Sequence, residues 1–142
     1  MQAKTVQAGT VQAAARTGRG GGRLVGQRPS ALPHPLPDAL VDLVARRFRV
    51  IGEPMRIKLL DRLRAGEATV QELTSAVGAS QQNVSKHLGV LHDAGIVARR
   101  KDGTKVLYRV VDAGVFELCE TVCGSVQRQV AELHAILEGT GG

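Results

Sequence analysis

The sequence predicts a mainly helical chain with a small β-hairpin, of the α+β class, and three observations carry that prediction. Apolar residues recur at helical spacing in five separate stretches. Two short runs near the middle alternate with the period of two expected of strands, and Asp102-Gly103 separates them, a strong short-range hairpin signal. The length, 142 residues, suits one domain plus additional sequence.

Taken in order, residues 1–36 are poor in large apolar groups and contain "RTGRGGGR" and "LPHPLP", which cannot bury a core. This segment is expected to be a disordered basic tail. A folded domain is expected over 37–138, with a flexible C-terminus at 139–142. Asp38 after Pro37 is a plausible N-cap, and Leu40, Val41, Val44 and Phe48 follow at helical spacing. "GEP" ends that helix and opens a second, with Pro54 in its first turn and Ile57, Leu60 and Leu63 as its inner stripe. Gly66 stops it, and "EATV" reads as a short extended piece. A brief third helix runs from Val70 to Val77, and Gly78 closes it in a tight turn. Ser80 caps a fourth helix whose Val84, Leu88 and Leu91 point inward, and Gly95 ends it. Ile96 to Arg100 and Val106 to Val111 form the hairpin. A long helical pattern then runs from about Ala113 to Leu137. Two short helices around a Gly turn, followed by a basic hairpin, make a winged helix-turn-helix.

The net charge is +6, and its distribution says more than its size. Lys4, Arg16, Arg19, Arg23 and Arg28 all precede the first acid, Asp38. Between Gln81 and Arg109 six bases face only Asp93 and Asp102. Such segregation suits a polyanionic partner. No apolar run approaches the ~18–20 residues of a membrane span, and no secretory h-region opens the chain. With two cysteines, Cys119 and Cys123, a disulfide scaffold is not expected, which points to a reducing cytoplasm. No Ser/His/acid set, phosphate loop or His-rich triad is present, which argues against an enzyme.

"EPMRIKLLDRL" and "SQQNVSKHLGVLHDAGIVARRKDGTKVLYRV" resemble the second helix, and the recognition helix and wing, of the arsenic-repressor (ArsR/SmtB) family of bacterial transcription factors. The resemblance covers roughly Leu40 to Leu137. It implies a homodimer that represses by occupying a promoter operator on double-stranded DNA and loses affinity when an inducer binds. A winged helix used for protein interaction, or a thiol metal- or redox-buffering module, is the alternative, and the segregated charge argues against it.

Stepping ~100° per residue around the fourth helix places Gln81, Gln82, Ser85, Lys86, Gly89 and His92 opposite the apolar side. This face is nearly uncharged, where a merely solvated face would carry Glu and Lys. Gln pairs with adenine edges and Ser serves several bases, so Gln81, Gln82 and Ser85 are the candidate base readers, with Ser80 beside them and Lys86 on phosphate. His87 and Asn83 lie toward the apolar side and are left out of that set. Arg99, Arg100, Lys101, Thr104 and Lys105 surround the hairpin tip and are the candidate backbone contacts. The competing reading is a solvated hairpin with a protected edge.

The last helix carries Val115, Cys119, Val122, Val126, Val130, Leu133 and Leu137 at steps of three and four. That is a seam for a partner helix, and with the first helix it is the candidate dimer interface. The family's metal sites are not expected here. Thr69 and Gln71 stand where one site needs thiolates. Aligning the other on Asp112 puts Gly114, Ser125 and Arg128 at its remaining positions. No cofactor is required by the sequence. Cys119 and Cys123, one turn apart, could together hold arsenite or a soft metal ion, or respond to an oxidant. They could equally be small hydrophobes packed in the seam.

Overall fold

The computed structural model describes residues 31–141. Most of the expected disordered tail therefore lies outside the described residues. The elements are α1 (Asp38–Ile51), α2 (Pro54–Leu63), β1 (Ala68–Thr69), α3 (Val70–Val77), α4 (Gln81–Asp93), β2 (Val97–Asp102), β3 (Lys105–Val110) and α5 (Ala113–Gly141). The chain divides into two compact units, Met1–Leu43 and Val44–Gly142. Of the first, the described residues supply the opening turns of α1, where the Pro37 carbonyl accepts from the Val41 amide at 3.0 Å. The second unit holds α2 to α5 and the sheet.

Each element begins and ends for a local reason. Glu53 caps α2 by accepting from the Arg56 amide at 3.2 Å, with Pro54 in the first turn, where its missing N–H costs nothing. Thr69 and Glu72 close a reciprocal capping box at the start of α3, with bonds of 3.1 and 2.8 Å. Gly78 ends α3 in the left-handed region at φ 69°, where a Cβ would be strained. Ser80 Oγ accepts from the Asn83 amide at 3.1 Å and starts α4. The end of α4 is a Schellman motif: the Gly95 and Ile96 amides bond back to the His92 and Leu91 carbonyls. The sheet order is β1-β3-β2, all antiparallel, with β2 and β3 in register from Val97↔Val110 to Asp102↔Lys105. Gly103 turns that hairpin at φ 65°.

The core gathers Leu59, Leu60 and Leu63 of α2, Leu73 of α3, the inner face of α4, and Ile96, Val97, Tyr108 and Val115. Two apolar expectations are corrected. Ile57 is 44% exposed, and Leu59 takes its place inside with no exposure. The buried arc of α2 is centred between Leu59 and Leu60, and Ile57 lies roughly 110° from that centre. Val115 belongs to this chain's own core, where the sequence placed it in a partner seam. The exposed apolar stripe of α5 begins at Val122. The helix also runs on through 139–141, where a flexible end is expected. No helix among the described residues is long and apolar enough to cross a membrane.

Core and cap burial set different stabilities. Leu59→Ala is expected to cost about 3 kcal/mol, because it removes a fully buried side chain and leaves a cavity. Thr69→Ala is expected to cost about 1 kcal/mol through the lost cap. Urea unfolding of the two variants against the parent measures both, and equal losses would contradict this packing.

Candidate nucleic-acid interface

Helix α4 is built with two faces. Val84, Leu88 and Leu91 each have no exposure, and this fixes the rotation of the helix about its axis. Gln81, Gln82, Ser85 and Lys86 are therefore driven outward, and all four are exposed. Ser80 is exposed beside them, although its oxygen is engaged in the cap. Gly89 is half-buried, and a Cβ there would meet nothing within 4 Å, so nothing in this chain demands a glycine.

His87 is buried, as its place on the wheel predicts. Its Nδ1 lies 3.3 Å from Glu53 Oε2 and 3.2 Å from Arg56 Nη1. It accepts from Arg56 in one tautomer and donates to Glu53 in the other. Arg56 also donates through Nε to the Val50 carbonyl. This polar cluster ties the end of α1 and the start of α2 to the middle of α4. The sequence signal for it was weak, since Glu53 stands in the turn between two helices and Arg56 is one base among many.

The wing splits its cations between two faces. Residues alternate along β2, so Arg99 and Lys101 share one face with their partners Tyr108 and Val106. Arg100 points the other way and makes a two-pronged pair with Glu67, at 2.7 and 2.8 Å. An open groove of about 440 Å³ lies where Val70 of α3 meets Arg99, Arg100, Lys101, Val106 and Tyr108. Thr104 and Lys105 are exposed at the tip. The structure thus brings the expected wing residues together on one hairpin, while Arg100 is already engaged. Glu67, which the sequence reading missed, stands outside both motifs, so no short-range signal marked it.

Cys119 is half-buried against the core, and Cys123, one turn on, is exposed. Burial pushes the Cys119 thiol above its ordinary range, and the neighbouring Cys123 adds to this while Arg64 opposes it. Arg64, the C-cap of α2, stacks over Phe116 at 4.9 Å and pairs with Glu120 at 3.2 Å, which seats the first turns of α5. Asp112 is bound by Arg47 Nη1 at 2.7 Å and accepts from the Gly114 amide at 3.1 Å. Thr69 is spent in its capping box. Thr69 and Asp112 are thus both engaged by partners within this chain. Among the described residues no three His, Cys, Asp or Glu side chains gather as a metal-binding group.

Comparisons with known proteins agree with this geometry. Residues 51–100 match the family described as a helix-turn-helix domain. A probable mercury resistance operon repressor of Streptomyces lividans is 44% identical over 77 residues, 54% of this chain and 62% of that protein. The HTH-type transcriptional regulator Rv0081 of Mycobacterium tuberculosis is 34% identical over 102 residues, 71% of this chain and 90% of that one. Its crystal structure superposes with a TM-score of 0.61 over 66% of this chain and 94% of that one, again at 34% identity. The homodimeric winged helix-turn-helix domain Mb0332 of Mycobacterium bovis, a possible ArsR-family regulator, superposes at 0.61 with 28% identity, covering 77% and 95% of the two chains.

The chain belongs to the ArsR/SmtB family of winged helix-turn-helix transcriptional regulators. It spans less than two thirds of the mercury repressor's length. Within the ArsR/SmtB fold, α3 and α4 form the helix-turn-helix of this chain and the β2–β3 hairpin its wing.

Three carboxylates hold this region together, and all three sit below 4.5, the ordinary glutamate value. Arg100's hydrogen bonds lower Glu67. The Thr69 backbone amide lowers Glu72. At Glu53, partial burial pushes upward but is outweighed by the Met55 and Arg56 amides and by the charges of His87 and Arg56. A depressed folded pKa gives stability that is present above the unfolded value and lost as pH falls through the folded one. Glu67→Gln is therefore expected to be less stable than the parent at neutral pH, with the gap closing as pH drops below 4.5. Thermal melts across that range check the sign, and a gap that widens on acidification would contradict the pairing.

Proposed function

We propose that the chain is a homodimeric cytoplasmic repressor that occupies a promoter operator through α4 and the wing. The observation that carries this is the division of α4 into a fully buried apolar side and an exposed, nearly uncharged face of Gln81, Gln82 and Ser85 with Lys86 beside them. Gln and Ser at the start of such a helix are suited to base edges in the major groove. Ser80 keeps its hydroxyl proton for a phosphate while its oxygen caps the helix. Arg99, Lys101, Thr104 and Lys105 take phosphates. Arg100 contributes less, since Glu67 neutralises it. Two copies are joined along α5 and α1, where Val44, Phe48, Val122, Val126, Val130 and Leu133 are all exposed. A two-fold pair then sets its recognition helices about one helical turn of DNA apart. Release is triggered at Cys123, the accessible thiol, with Cys119 behind it as the second ligand for a metalloid or soft metal, or as a second thiol for an oxidant.

Footprinting on the DNA upstream of the protein's own coding sequence tests the reading. A protected two-fold site that resists scrambled competitor is expected, and sequence-blind binding would sink it. Gln81→Ala is expected to cost about 1–3 kcal/mol of discrimination at its base. Lys105→Ala is expected to weaken all duplexes alike and reduce the salt slope by about 1. Release by arsenite or peroxide is expected to disappear in Cys119→Ser/Cys123→Ser. If that variant lets go as the parent does, the cysteines are packing groups.

Gly89 offers a sharper check. Gly89→Ala is expected to stabilise the free protein by about 0.5–1 kcal/mol, because an open helical glycine wastes backbone entropy. The same change is expected to weaken operator binding, because a methyl group now stands where DNA backbone approaches. A stabilised variant with undiminished affinity would remove Gly89 from the interface.

A further inference from the structure

We infer that Arg47 is a positioning residue that fixes the recognition helix against the helices of the dimer seam; this rests on the operator-binding reading above. The contacts begin at the end of α4. The carbonyls of Val90, Leu91 and His92 are satisfied by the Ala94, Ile96 and Gly95 amides. The Ala94 carbonyl, at the C-cap, instead accepts from Arg47 Nη2 at 3.1 Å. The other prong of the same guanidinium, Nη1, donates to Asp112 Oδ2 at 2.7 Å. Asp112 in turn opens α5: its Oδ1 accepts from the Gly114 amide and its carbonyl from the Val115 amide, both at 3.1 Å.

One rigid fork therefore joins three helices: α1, which carries it, the C-terminus of α4 and the N-terminus of α5. The charges follow the helix dipoles, with a cation at the negative end of α4 and a carboxylate at the positive end of α5. A guanidinium holds its two Nη atoms at fixed separation, so it sets where Ala94 lies relative to Asp112. A lysine, whose three donors sit on a single rotating nitrogen, could not. Because α1 and α5 carry the exposed apolar seam, the fork transmits the geometry of the pair to the tilt of the reading head.

The test uses the full chain. Arg47→Gln and Asp112→Asn are compared with the parent on duplexes in which the spacing between operator half-sites is varied, and on a scrambled duplex. Both variants are expected to stay dimeric. Affinity for the best spacing is expected to fall about tenfold. The preference among spacings is expected to flatten, and the double variant to fall no further than either single one. Asp112→Glu, which keeps the carboxylate, is expected to recover part of the preference. An equal loss on every duplex, scrambled included, overturns the inference, as does an unchanged spacing preference in both variants. A second readout needs no DNA. Spin labels at Gln82→Cys and Glu132→Cys, in a Cys119→Ser/Cys123→Ser background diluted with unlabelled chain, report the distance from α4 to α5 within one chain. The parent is expected to give a narrow distribution and Arg47→Gln a broad one, and identical distributions overturn the inference. If the parent prefers no duplex, the operator reading fails while the distance measurement still judges Arg47.

Discussion

Everything displayed on α4 depends on what α4 buries. Val84, Leu88 and Leu91 lose all contact with water, and each such side chain contributes about 1.5–3 kcal/mol on burial. A turn of the helix by one residue, ~100°, would bring Ser85 inward and carry Val84 out. The hydrophobic effect has no direction of its own, but on a helix it acts as a rotational lock. The polar caps then set the translation: the Ser80 hydroxyl holds the first turn, and the Schellman bonds at Gly95 and Ile96 hold the last. The proposed reading surface would need that rigidity, because Gln and Ser side chains discriminate bases only when their donors and acceptors are held in register.

Much of this was legible in the sequence because it is local. The bounds of α3 follow from the short run Val70 to Val77 and from Gly78, all within nine residues. The faces of α4 follow from its period, and the hairpin from Asp102-Gly103. What stayed hidden is contact between distant segments. Ile57 and Leu59 are both large and apolar, and only the direction of approach of the other helices decides which is inside. Arg99, Arg100 and Lys101 read as one cationic block, because sequence shows charge in a row and not the alternation of faces that a strand imposes. Glu67, thirty-three residues from Arg100 in the chain, becomes its partner only once β1 lies beside β3. The same holds for Asp112. Its likeness to a metal ligand is a property of sequence, whereas its engagement with Arg47 is a property of the fold.

The wing shows how a near-neutral domain can still present a basic surface. Neutralising Arg100 with Glu67 removes charge from one face of the hairpin without touching Arg99 and Lys101 on the other. Two ion-pair hydrogen bonds hold the hairpin near the end of α2 and β1, so the arginine serves the placement of its neighbours more than the field they produce. Exposed pairs of this kind contribute little to global stability. Their effect is on orientation, which matters for a two-stranded ribbon that is only marginally stable in isolation.

Helix α5 serves two purposes along one stripe. Val115 and Leu118 complete this chain's core, while Val122 and the turns beyond are exposed. Cys119 sits at the change-over and Cys123 just past it. From Val122 to Leu133 the helix runs about 17 Å at 1.5 Å per residue. A segment held mainly at one end turns a small shift there into a larger displacement at the other. Its seating rests on a short list of contacts: Val115 in the core, Phe116 and Glu120 against Arg64, and Asp112 against Arg47. A bulky or charged adduct on Cys119 would have to displace the core packing beside it, whereas one on Cys123 would intrude only on the exposed stripe. The two thiols are chemically alike and one turn apart, yet modification of the first would act on the fold of the chain and modification of the second on whatever the stripe packs against.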